Sequence, residues 1–238
     1  MKRRTFMKFL SLAPAATLFH NSEALASNAL LPTRRGRPNP TLVEALNLSP
    51  PNRTELVVIA GTPCAGKSTF MLNLLDRFTF ERNERSIYFS LECSRNYLIS
   101  RWRQISLYPH TFKAQTNVDI YDTHRASPKN IWTVVQASQT LNPDLRYVFI
   151  DYLQLMPCFE DGKEKTNLAD AILRELKRMA VELNITVILA AQLNRGPESK
   201  TNSGSLRGVT DSSPIDHLVT IHRDYPSDEV TIVTHRPD

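Results

Sequence analysis

From Glu55 onward the hydrophobic positions fall into two alternating patterns. Short runs are rich in β-forming residues, and longer stretches repeat apolar residues every three or four. The short runs fit strands, whereas the three-to-four step fits a helix with one buried stripe. The runs predict strands at Leu56 to Ala60, Ser86 to Leu91, Val118 to Tyr121, Tyr147 to Asp151 and Ile185 to Ala191, with two more at His217 to His222 and Glu229 to Thr234. Helices are predicted at Lys67 to Phe78, Arg95 to Ile105, Lys129 to Thr140 and Asn167 to Leu183. In the last of these, Leu168, Ile172, Leu176, Met179 and Leu183 form the stripe. Strands alternating with helices predict an α/β fold, a mostly parallel central sheet with helices on both faces. Between Arg195 and Asp216 the chain is polar, rich in Gly and Ser and without period, which predicts a long mobile loop.

Charge changes this picture once it is divided along the chain. The net charge is +5, but residues 1 to 37 carry +6 of it through Lys2, Arg3, Arg4, Lys8, Arg34, Arg35 and Arg37 against Glu23, leaving −1 for the remainder. A near-neutral domain gives the idea of nucleic-acid binding no support from overall charge. The first 26 residues, with paired arginines, a short apolar stretch and Ala24-Leu25-Ala26, resemble a twin-arginine export signal with a cleavage candidate after Ala26. The alternative is a disordered basic leader. Residues 27 to 52 contain five prolines and read as a linker, so the folded domain spans 53 to 238. The leader's apolar run is too short and too interrupted by Pro14 to span a bilayer. Cys64, Cys93 and Cys158 show no CxxC spacing, which argues against a zinc site or a disulfide framework. Each reads as a small core or strand-end residue.

The chemistry concentrates in LVVIAGTPCAGKSTFMLNLL, where an apolar strand runs into GxxxxGKS and then a helix. Such a loop, Gly61, Thr62, Pro63, Cys64, Ala65, Gly66, Lys67, Ser68 and Thr69, cradles nucleotide phosphates with its backbone N–H groups and the helix N-terminus. Lys67 is expected at the β- and γ-phosphates of ATP and the Ser68 hydroxyl on Mg²⁺. The second element, RYVFIDYLQLM, is an apolar strand that delivers Asp151 to the sheet edge where ligands bind in open α/β folds, as a second magnesium-organising group. Trp102, between Arg101 and Arg103, suits either a stacked base or a packed helix face, and packing is the more common fate.

IDYLQLM, SLECS after the second strand and AAQLNR after the fifth together resemble the ATPase domain of DnaB-type replicative DNA helicases, the ring-forming RecA-like motors. The similarity runs from about Leu56 to Arg236. It implies a RecA-like P-loop ATPase fold, ATP and Mg²⁺ as ligands, single-stranded DNA as partner and a homo-oligomeric ring or another protein partner. By position it implies Glu92 as the catalytic glutamate, on the expectation that its strand lies beside that of the P-loop. It implies Gln192 as the γ-phosphate sensor that signals to the DNA-binding loop, Arg236 as an arginine finger for a neighbouring subunit and Arg207 as a DNA contact.

The sequence also departs from that pattern. Gly208 stands where the family's DNA loop has an acidic residue, Thr234 replaces a lysine two positions before the finger, and the chain stops at Asp238. Room for the family's N-terminal helical domain is lacking, which reads as a shortened, stand-alone ATPase domain. Three functions follow as expectations: a DNA-coupled ATPase, a nucleotide-dependent regulatory or binding module without unwinding, or a non-enzymatic remnant of the fold. ATP dependence favours the cytoplasm, with export to the periplasm as the alternative.

Overall fold

A computed structural model of the chain describes residues 25–28, 54–106, 117–157, 159–160, 163–164, 168–194, 205–224 and 229–235. Its elements run in the order β1 (Leu25–Asn28), β2 (Leu56–Gly61), α1 (Lys67–Phe80), β3 (Arg85–Ser90), α2 (Arg95–Ile105), β4 (Val118–Asp122), α3 (Pro128–Leu141), β5 (Leu145–Asp151), the hairpin strands β6 (Phe159–Glu160) and β7 (Lys163–Glu164), α4 (Leu168–Glu182), β8 (Thr186–Gln192), β9 (His217–Asp224) and β10 (Glu229–His235). Each predicted strand and helix is present within a few residues. The first 24 residues, the Cys158 position and Arg236 lie outside the described residues, as does all of the proposed linker beyond Asn28 up to Arg53.

The sheet order is β1-β10-β9-β2-β8-β5-β3-β4. From β9 to β4 every pairing is parallel, and β10 and β1 add an antiparallel margin. Alternation of side chains along β2 divides the core in two. Leu56, Val58 and Ala60 face α3 and α4 with Ile131, Val135, Ile172, Leu176 and Met179. Val57 and Ile59 face α1 and α2 with Met71, Leu74, Leu75, Leu98 and Trp102. Burying each such aliphatic side chain contributes about 1.5–3 kcal/mol, so the two-sided core accounts for why these strands read as continuous apolar runs. No helix among the described residues is long and apolar enough to cross a membrane.

Local chemistry fixes the helix starts. Ser94 accepts a hydrogen bond from the Tyr97 N–H to cap α2. Ser127 and Asn130 form a reciprocal capping box before Pro128 on α3. Trp102 is 1 % exposed and donates its indole N–H to Asp76 Oδ1 at 2.9 Å, which makes it a core residue. At the entry to β2, the Lys177 ammonium bonds the Thr54 carbonyl at 2.9 Å and Asp216 Oδ2 at 2.7 Å, while Asp216 Oδ2 also accepts from the Leu56 N–H at 2.7 Å.

The stretch expected to be a mobile loop is anchored where it is described. Residues 205–216 contain neither helix nor strand, yet Leu206 and Ile215 are buried in the core. Buried Asp170 of α4 accepts from the Thr210 N–H at 2.9 Å, the Thr210 hydroxyl and the Asp211 N–H at 3.2 Å. These bonds are long-range, so no local pattern announces them. Burial alone would raise the Asp170 pKa. The donors from Thr210 and Asp211, with the Arg174 guanidinium, outweigh it and hold the carboxyl below its usual range. Replacing Asp170 with Ala is expected to lower stability by about 1–3 kcal/mol in urea unfolding and to speed amide exchange at Thr210 and Asp211. Because the folded-state pKa is depressed, the stabilisation is present above the unfolded carboxylate's pKa and lost as pH falls through the folded one. The gap between wild type and variant therefore narrows on acidification.

Candidate nucleotide site

Strand β2 ends on Gly61, and a Cβ there would lie 2.8 Å from the Ile221 carbonyl oxygen and 3.2 Å from Ala65 Cβ. Glycine is thus what allows the loop to close against β9. The chain then turns through Cys64 at φ 62° and Gly66 at φ 102°, with the Ala65 N–H donating to the Thr62 carbonyl at 3.2 Å. Left-handed residues within such a turn let successive N–H groups converge on one point. Gly66 caps α1 without a side-chain hydrogen bond, and the helix's own first turn holds no acidic residue to compensate its positive end. The buried Lys67 ammonium arches back over the loop to the carbonyls of Gly61 at 3.1 Å and Thr62 at 3.0 Å. Burial pushes its pKa down, while Asp151, Glu92 and Cys64 pull the other way.

Asp151, 5 % exposed, closes β5 on the same rim. Burial raises its pKa, opposed by hydrogen bonds from the Ser68 and Tyr88 hydroxyls and by the Lys67 charge. The Ser68 hydroxyl and the Asp151 carboxylate therefore meet. A hydroxyl and a carboxylate are hard oxygen donors suited to Mg²⁺, which is usually held by few protein groups together with substrate phosphates. Among the described residues no cluster of three or more His, Cys, Asp and Glu is placed to hold a metal alone.

Glu92 follows β3 at an exposed position. The Ser90 hydroxyl donates to the Cys93 carbonyl at 2.6 Å and accepts from the Cys93 N–H at 3.2 Å, which pins the turn that carries Glu92. The expected adjacency of its strand to β2 is corrected by the sheet order, because β8 and β5 stand between β2 and β3. The crossovers that produce this order are invisible to local patterning. Parallel pairing nevertheless brings the end of β3, and with it the turn that carries Glu92, to the same edge of the sheet as Asp151 and Gly61.

Gln192 ends β8 in register with Gly61. Its side-chain oxygen accepts from Arg207 Nη1 at 3.2 Å, and its backbone carbonyl accepts from the Arg207 N–H at 2.8 Å. Gln154, which the sequence reading did not single out, completes this junction. Its Oε1 accepts from the Gln192 N–H at 3.1 Å and its Nε2 donates to the Arg207 carbonyl at 3.3 Å. A polar residue inside the otherwise apolar LQLM was the available signal. Gly208, next to Arg207, has φ 79°, a backbone that suits glycine. Arg101 of α2 donates to the Thr69 hydroxyl at 3.4 Å, bringing a further cation to the loop. Cys64 is exposed on the loop, unlike the core or strand-end placement expected of it, and Cys93 is half-buried beside Glu92.

The family model for the DnaB-like helicase C terminal domain matches residues 48–108 and 102–219. The chain belongs to that family. The replicative DNA helicase DnaB of Haemophilus influenzae is 26 % identical over 201 residues, covering 72 % of this chain and 42 % of the relative. The chain thus spans less than half the length of that curated relative. Among solved structures, the ATPase domain of G40P superposes with a TM-score of 0.64 at 25 % identity, covering 74 % of this chain and 72 % of that one. A DnaB-like replicative helicase whose structure was described with its interactions with primase gives a TM-score of 0.64 at 26 % identity, over 74 % of this chain and 50 % of that one. The fold of the DnaB-like chain is accordingly the RecA-like P-loop ATPase fold, with a mostly parallel sheet between two helical layers. In this DnaB-like domain Gly61→Ala is expected to cost about 1–3 kcal/mol by overpacking against the Ile221 backbone, measured by denaturant unfolding. Nucleotide-analogue affinity should fall with it.

Proposed function

We propose that the chain is an ATP- and Mg²⁺-dependent ATPase of the DnaB type that acts on single-stranded DNA within a homo-oligomeric ring. The observation that carries this reading is the meeting of Lys67, Ser68, Asp151 and Glu92 at one end of the sheet, around the loop from Gly61 to Thr69. The loop's N–H groups and the α1 terminus hold the phosphates, and Lys67 leaves the Gly61 and Thr62 carbonyls for the β- and γ-oxygens. The Ser68 hydroxyl, with Asp151 acting through water, would hold Mg²⁺, which would supply charge neutralisation for the phosphates. Glu92 orients a water and takes its proton as the water oxygen bonds to the γ-phosphorus and the bond to the β,γ-bridging oxygen breaks. Gln192 senses the γ-phosphate and passes its state to Arg207, through direct bonds and through Gln154. Arg236 serves a neighbouring subunit's ATP.

In the full-length chain, turnover should rise on addition of single-stranded DNA at low salt. It should fall about 10²–10⁴-fold in Glu92→Gln and collapse in Lys67→Ala, measured by phosphate release. Turnover indifferent to DNA would sink the DNA-coupled reading. It would leave the regulatory module, which Gly208 favours by standing where the family's DNA loop carries an acidic residue. Absence of nucleotide binding would leave the remnant.

The working compartment under this reading is the cytoplasm, where ATP is supplied. The pairing of Leu25–Asn28 with β10 supports it, because cleavage after Ala26 would cut β1 in two. Fractionation of a tagged chain beside an Arg3→Lys/Arg4→Lys control should find both in the cytoplasm. A periplasmic wild type with a retained control would instead establish export.

A further inference from the structure

Tyr88 has no part in the scheme above, and its surroundings assign it one. It lies on β3 opposite Phe149 of β5 in the strand register, and Asp151 follows two residues later on the same face of β5. The ring is fully buried and stacks on Phe149 with centroids 5.7 Å apart and planes at 11°. Phe149 in turn lies against Phe78, which stacks on Tyr147 at 4.1 Å, so Asp151 sits at the head of a column of aromatic rings on that face. A ring held this way has one orientation, and its hydroxyl reaches Asp151 Oδ2 at 3.0 Å. Phenylalanine would fill the same space. The hydroxyl is the feature that packing does not require, and its partner is a carboxylate almost as buried as itself. Burial first, and the Asp151 charge second, push the phenol's pKa well up, so Tyr88 remains a donor at every ordinary pH.

We propose that Tyr88 is a positioning residue for the magnesium site: its hydroxyl fixes one oxygen of Asp151 so that the carboxylate faces Ser68 and the metal. The inference rests on the ATPase reading and deepens it. Ser68 approaches the carboxylate from α1 and Tyr88 from β3, so two donors on different elements constrain this buried side chain. Groups that orient a metal ligand from behind in this way typically set metal affinity by about 10–100-fold.

The test uses Tyr88→Phe in the full chain with a fluorescent methylanthraniloyl-ATP probe. Circular dichroism checks the fold, binding in excess chelator reports the metal-free nucleotide, and a Mg²⁺ titration at fixed probe reports the metal. The expected result is unchanged probe affinity in chelator and a Mg²⁺ half-saturation raised about tenfold. Equal half-saturation in variant and wild type would overturn the proposal while leaving the ATPase reading intact. A wild type with no Mg²⁺-dependent probe binding would overturn both. If the phenylalanine chain does not fold, 3,5-difluorotyrosine at position 88 keeps the hydroxyl and alters its donor strength. A shifted half-saturation then supports the role, and an unmoved one ends it.

Discussion

The burial of a carboxylate at the end of an apolar strand and of an ammonium at the start of a helix is the constraint on which this domain turns. Asp151 is carried into the crevice because Leu145–Asp151 is an inner strand covered on both faces. Lys67 is carried there because the loop from Thr62 to Gly66 leads from the end of β2 straight into α1. Neither charge is fully repaid by water, and each is stabilised by the other, by the loop carbonyls and by the Ser68 and Tyr88 hydroxyls. Charges held so are expensive to leave uncompensated, which makes a polyanion with a divalent cation a fitting guest.

Much of this was legible in the residues. Continuous apolar runs placed β2, β5 and β8 to within a residue or so, because strands covered on both sides tolerate nothing else. The stripe from Leu168 to Leu183 placed α4, and GxxxxGKS placed the loop between strand and helix. Trp102 behaved as a packed helix-face residue because Asp76 offers its indole N–H a buried acceptor. What escaped was long-range. The order that sets β8 and β5 between β2 and β3 comes from crossovers, which leave no mark on any single segment. Tyr88 and Gln154 looked like ordinary strand and turn residues, since the groups they bond lie on other elements. Asp170 looked like one more acid at a helix start, although it secures the segment beyond β8.

Gln192, Gln154 and Arg207 show how a parallel sheet links its crevice to the surface. Gln192 touches the phosphate-loop strand through its register with Gly61 and the outer segment through Arg207, while Gln154 grips both from the end of β5. Asp170 fastens the same segment three residues further on. The segment is therefore held both near the crevice, through Arg207, and on α4, through Thr210 and Asp211.

The short strand Leu25–Asn28 carries a different lesson. It covers the margin that β10 would otherwise offer to any passing strand, and edges left open are where sheets recruit unwanted neighbours. Its first two residues, Leu25 and Ala26, also end the Ala24-Leu25-Ala26 pattern that reads in the sequence as a processing site. A peptidase needs that segment extended and free, and the sheet needs it extended and occupied. In the folded chain Leu25 to Asn28 are taken up by β10, so any peptidase acting there would first have to displace them.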